Sequence, residues 1–268
     1  MIPTINTITI VALLIASVLL PVAGWFIVWR KTRARIADLL VGMGVFFVCY
    51  VIAIATSLLG QMLIASPIIL VLVLALRAGL VEEFGRFIAF KFFLKRSKTI
   101  GNGLMYGVGH GGMEVLLVYT LAMVSNLVFI VMVNTGSMDM LAALAPDQTE
   151  ALDAAVVALR DTSPLMLSVG LVERVAAMIL HISLSVIVFC AVRQKKWLYL
   201  VLAIVLHTLA DSSIVLYITG TLNLWGLEAI IMAMSLVTAI IAWLIARGYK
   251  LPVDLTPSPM TPNLHRDT

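Results

Sequence analysis

Residues Pro67–Leu94 read PIILVLVLALRAGLVEEFGRFIAFKFFL, an apolar run with Glu82, Glu83 and Arg86 set near its middle. A run of about 20 mostly apolar residues is long enough to cross a bilayer as a helix. A charge near the bilayer centre costs roughly 2.5–3.5 kcal/mol even on lenient insertion scales. Such a charge persists by facing a partner or a wet cavity, and it usually marks function. Three further apolar runs carry the same anomaly: His110 and Glu114 in one, Glu173, Arg174 and His181 in the next, His207 and Asp211 in the last.

The 268 residues are 62% hydrophobic and 12% charged, against about 25% charged in soluble domains. Mean hydropathy is +1.10. The apolar runs are continuous rather than alternating, which excludes an outer-membrane barrel. The net charge of +4 is no nucleic-acid signature, because the cations cluster between the apolar runs. Cys49 and Cys190 fall inside such runs and read as small buried hydrophobes. The segment before the first run lacks a positive n-region, so that run reads as a retained helix rather than a signal peptide.

These features predict an all-α polytopic bundle of about seven transmembrane helices in a bacterial-type inner membrane. The spans are expected at Ile8–Trp29, Ala37–Leu59, Pro67–Leu94, Asn102–Val133, Pro164–Val192, Trp197–Thr219 and Trp225–Ala246. Cations follow the first, third, fifth and last spans. The opposite loops carry only Arg160, while Arg77, Arg86 and Arg174 lie inside spans. The positive-inside rule then places the N-terminus outside and the C-terminus in the cytoplasm. One transmembrane domain is expected over residues 1–250, with an acidic outer loop at about 134–163. Within that loop, Asp147 or Thr149 can cap a short interfacial helix running through Arg160. The tail 251–268 holds four prolines and no apolar period, so it reads as a disordered cytoplasmic extension in which His265 has no role.

Helical spacing sorts the polar residues onto faces. Tyr106, His110 and Glu114 are four apart, as are His207 and Asp211; Arg174 and His181 are seven apart and nearly eclipse. His110 and His207 each lie about ten residues from a span end, so roughly 15 Å deep. Glu82 precedes Arg86 by four residues, the order that favours pairing, and Glu83 competes from three. Each feature has a structural alternative. The acids and arginine can form a helix-locking ion pair. His110 can be an interhelical hydrogen bonder, and His207–Asp211 a plain side-chain bond. Arg77 can pair with an acid or snorkel outward. The tandem stripe Gly103, Gly107 and Gly111 reads as a close-packing face, whereas Gly109 and Gly112 can leave room for a peptide backbone beside His110.

Taken together, a glutamate and two histidines converging in a wet cavity suit hydrolysis. Glu82 or Glu83 can take a proton from water, with His110 and His207 binding that water, a metal or an oxyanion. Asp211 can orient His207 or join His110 and His207 as a metal ligand, with zinc a candidate. No HExxH motif occurs. Ser212 and Ser213 have no feature that marks a nucleophile, and haem through two histidines stands on count alone.

The order EE-x-x-R, aromatic-xxx-His and His-xxx-Asp resembles the CAAX-protease and bacteriocin-processing intramembrane proteases. Within that group, EEFGRF (82–87), YGVGHGGMEV (106–115) and HTLAD (207–211) are most similar to the YhfC-type intramembrane metalloproteases. The resemblance covers roughly Val81 to Asp211. It implies that Glu82 and Glu83 supply the acid pair that activates water and that Arg86 is their arginine. Tyr106, His110, His207 and Asp211 then surround the water or a metal. Two residues rather than three separate the acid pair from its arginine, which rotates Arg86 toward Glu82. Glu114, Glu173, Arg174 and His181 have no counterpart in the broader motif set; they line the cavity or form an ion-pair network.

The expected function is hydrolysis of a peptide bond in a membrane-associated substrate, with lipid as the surrounding partner. Two other classes use the same residues: a proton- or cation-coupled transporter, and a non-catalytic immunity or sensor protein of this fold.

Overall fold

The computed structural model describes residues 1–138, 143 and 148–249; the expected tail, with His265, and the capping residue Asp147 lie outside them. The described residues form helices α1 (Thr4–Thr32), α2 (Ile36–Leu63), α3 (Pro67–Ile88), α4 (Ile100–Glu114), α5 (Leu121–Thr135), α6 (Thr149–Asp161), α7 (Pro164–Leu167), α8 (Val169–Gln194), α9 (Trp197–Ser212), α10 (Ile214–Ile218) and α11 (Leu224–Arg247). No strand occurs among them. Each expected span lies on a helix. Among the described residues, six stretches are long and apolar enough to cross a membrane: α1, α2, Ile100–Thr135, Pro164–Gln194, Trp197–Ile218 and α11. Helix α3, at 22 residues, is of spanning length but carries Arg77, Glu82, Glu83 and Arg86. It is the helix on which a seventh crossing depends.

Local chemistry sets the helix ends. Helix α3 starts with Ser66 as N-cap and Pro67 at the first helical position, where the missing N–H costs nothing. Helix α4 starts with a capping box between Thr99 and Asn102. Asn102 also donates to Asp38 Oδ2 of α2 at 2.6 Å, and Ser97 donates to Asp38 Oδ1. The fully buried Asp38 thereby ties the starts of α2 and α4 together. At the other end, Asn6 Nδ2 lies 2.7–3.2 Å from the carbonyls of Leu159, Arg160 and Thr162. It satisfies carbonyls that the end of α6 leaves without partners, so polar residues before Ile8 join α1. Gln148 precedes α6 without a side-chain cap, so Thr149 begins the helix rather than capping it.

Helix α8 is the centre of the bundle. Its most apolar window is 78% buried, against 17–22% in the other five spanning stretches. It packs against α4, α9 and α11. Glycines set the closest crossings. A side chain on Gly107 would strike Ile182 and Ser185 of α8, and one on Gly79 would strike Ile204 and Thr208 of α9. The stripe Gly103, Gly107 and Gly111 faces α8 as its packing reading predicts. Gly109 and Gly112 depart from expectation: Leu39 of α2 fills the space beside the first and Pro21 of α1 the space beside the second. Helices on that side of α4 take the room assigned to a peptide.

Two apolar clusters bracket the polar level. One, at the Arg193 end, holds Phe90, Tyr106, Leu184 and Phe189. The other joins Ile10 and Leu13 of α1 to Tyr119, Met123, Ile130 and Leu159. Helical irregularities adjoin the polar level. A wide π turn, Val115–Thr120, follows Glu114 directly, and the chain breaks between α9 and α10 at Ser213, two residues past Asp211. Such turns are frequent at functional sites.

Candidate active site

Four helices bring the polar residues to one level: Glu82, Glu83 and Arg86 from α3, His110 and Glu114 from α4, Arg174 and His181 from α8, His207 and Asp211 from α9. Glu82 Oε2 is the hub. It lies 2.9 Å from His110 Nε2, 3.6 Å from Arg86 Nη2, 3.8 Å from His181 Nδ1 and 4.0 Å from His207 Nε2. The side chain of Glu82 is 15% exposed and that of Glu83 is 0%. Only the first of the paired acids therefore reaches the cavity.

The arginine pairs differently from its sequence spacing. Arg86 binds Glu83 directly and stands farther from Glu82, because His110 of α4 holds the Glu82 oxygen. Glu83 Oε1 also meets His207 Nδ1 at 2.7 Å. As a carboxylate gripped by arginine, Glu83 accepts, so His207 carries its proton on Nδ1. Its Nε2 lies 3.5 Å from Asp211 Oδ2 and faces Glu82. Arg86 Nη2 lies 2.5 Å from His181 Nδ1. A guanidinium only donates, so this nitrogen accepts and the His181 proton sits on Nε2, 2.5 Å from Glu114 Oε2. Arg174 holds Glu114 Oε1 at 2.7 Å and also pairs with Glu173.

Glu82, His181 and His207 each offer a ligand atom within 4.8 Å of the other two. The chemistry of this set fits a divalent metal: two imidazoles and a carboxylate from three helices, as in catalytic zinc sites. Each imidazole rests its far nitrogen on a carboxylate, His207 on Glu83 and His181 on Glu114. That arrangement fixes ring orientation and raises ligand basicity. An ion ligated by His181 Nδ1 would displace Arg86 from that lone pair. The sequence-derived trio His110, His207 and Asp211 shares only His207 with this group. His110 instead touches Glu82, with its Nδ1 buried and unpartnered. Tyr106 is fully buried and packs its ring 4.6 Å from Phe90 and 6.1 Å from His110. It shapes the wall behind His110.

A cavity of about 200 Å³ opens beside the hub, lined by Tyr50, Arg77, Glu82, His181, His207 and Asp211 among others. No carboxylate lies within 4.0 Å of Arg77 among the described residues, and its Nε is buried without a partner. Cys49 is a buried free thiol on this wall, and Cys190 is buried elsewhere. One acid lining a cavity next to this site escaped the sequence reading. Glu228, the fifth residue of α11, is buried in a neighbouring cavity. Its signal was an acid just inside an apolar run, close enough to the end to pass as a boundary residue.

Comparison with known proteins identifies the family. The family profile described as YhfC intramembrane metalloprotease matches residues 16–232. The protein named "Uncharacterized membrane protein YhfC" of Bacillus subtilis (strain 168) is 31% identical over 226 residues, covering 81% of this chain and 86% of that protein. No solved structure matches. The chain belongs to the YhfC intramembrane metalloprotease family and is a multi-pass membrane protein.

Proposed function

We propose that this protein is an intramembrane peptidase whose reacting centre is the cluster of Glu82, His181 and His207. The observation that carries this reading is their convergence, with each histidine backed by its own carboxylate. These three side chains would hold a divalent metal, zinc a candidate. A bound ion of that kind supplies Lewis-acid polarisation of a peptide carbonyl and eases deprotonation of water.

The other residues then take distinct parts. Glu83 is sealed and orients His207. His110 orients Glu82 through its 2.9 Å contact. Asp211, 39% exposed and beside His207, is the carboxylate placed to accept the proton of the attacking water. Water oxygen bonds to the carbonyl carbon, the C–N bond breaks, and the proton on Asp211 passes to the leaving amine. Arg77, cationic and unmatched on the cavity wall, orients the carbonyl. We also take α3 as a seventh crossing, with the cationic ends after α1, α3, α8 and α11 facing the cytoplasm.

The test uses purified protein in liposomes with a mixture of membrane-spanning peptides, cleavage being read by mass spectrometry. Glu82→Gln, His207→Ala and Asp211→Asn should insert normally and cut nothing. Metal analysis should find one ion per chain, lost in His207→Ala. Undiminished cleavage in Glu82→Gln and His207→Ala would reject the assignment. Cation or proton flux in sealed vesicles without cleavage would replace it with the transporter.

A further inference from the structure

A second polar cavity, of about 360 Å³, adjoins the reacting centre through Glu114, His181 and Asp211. Its remaining charged wall is Glu173, Arg174 and Glu228, with Ser213 and Tyr217 adding hydroxyls. Four acids thus face one arginine, and that arginine is already shared by Glu114 and Glu173. Asp211 has only His207 within 4.0 Å among the described residues. Among the described residues, Glu228 has no cation that near. It is 4% exposed, and its Oε2 is buried without a hydrogen-bond partner. A carboxylate in that state is expensive unless something charged or donating completes it. The other walls, Ala177, Leu180, Leu227 and Ile231 among them, are apolar. They suit the methylene stem of a long cationic side chain whose head reaches the acids.

We infer that this cavity is a specificity subsite for a lysine or arginine side chain of the substrate, with Glu228 receiving the cationic head. The inference rests on the peptidase reading: a peptide whose scissile bond lies beside Glu82 and His207 extends a neighbouring side chain past Asp211 toward Glu228. Glu228 is then a specificity residue and takes no part in bond breaking. Among the described residues, the metal-holding trio does not include it.

The test separates binding from cleavage. The probe is n-butylguanidinium, compared with neutral n-butylurea, titrated against the full-length protein in detergent by calorimetry. Saturable binding of the cation but not of the urea is expected. Glu228→Gln should weaken it by about tenfold, the scale of one charge-assisted hydrogen bond, while Glu82→Gln leaves it intact. Equal affinity for the two probes in the unaltered protein, no binding at all, or no change in Glu228→Gln overturns the subsite. A peptide library then reads specificity: wild type should prefer Lys or Arg at one position beside the cut, and Glu228→Gln should lose that preference. Cleavage with no basic preference overturns the subsite and leaves the peptidase standing. Cation binding without cleavage of any peptide removes the peptidase and leaves a cation site.

Discussion

Two arginine clusters, one on either side of His181, have similar partners and opposite surroundings. Arg86 and Glu83 are both 0% exposed, and the pair is closed off by His181 and His207. Arg174 is 9% exposed and bridges Glu114 to Glu173, which is 39% exposed at the mouth of the second cavity. Pairing looks alike in the two, but their energetics do not. In the sealed cluster, removing one partner strands a charge with no water to solvate it. In the open cluster, Glu173 reaches water, which can take over part of what is removed. The sealed cluster therefore sets the geometry around Glu82, His181 and His207, and the open one lies toward solvent beside them.

The largest expected contrast is Arg86→Met. It leaves Glu83 buried and uncompensated and should destabilise the protein by about 3–5 kcal/mol, read as a loss of folded protein in detergent unfolding. Arg174→Met should cost less, about 1–2 kcal/mol, since Glu173, one of its two acids, is 39% exposed. A cost equal to that of Arg86→Met would erase the distinction between the clusters. The smallest effect is expected at the surface pair Arg160–Asp161 on α6, whose side chains are 47% and 57% exposed. Arg160→Ala should leave the thermal midpoint unchanged; a marked drop would show that α6 depends on that pair.

Much of this was legible in the sequence because one-dimensional hydropathy decides where a chain crosses lipid. The runs starting at Pro67, Pro164 and Trp197 coincide with helix starts, and the spacing of Gly103, Gly107 and Gly111 declared a packing face. Spacing assigns residues to faces of their own helix, but it cannot say which helix lies opposite. For that reason His181, distant in sequence from Glu82, read as a supporting residue and stands with Glu82 and His207 in the group that could hold a metal. For the same reason Gly109 and Gly112 read as open space and are filled by α2 and α1. The partner of Arg86 followed the same rule in reverse: local spacing favoured Glu82, and a histidine from another helix took that acid away.

Asn6 has one more consequence. Its amide waits for the Leu159 carbonyl, 153 residues farther along the chain. Translation delivers the first helix long before the segment that anchors it. This tie of α1 therefore closes only after 153 further residues have been made, although α1 already packs on α4 and α5.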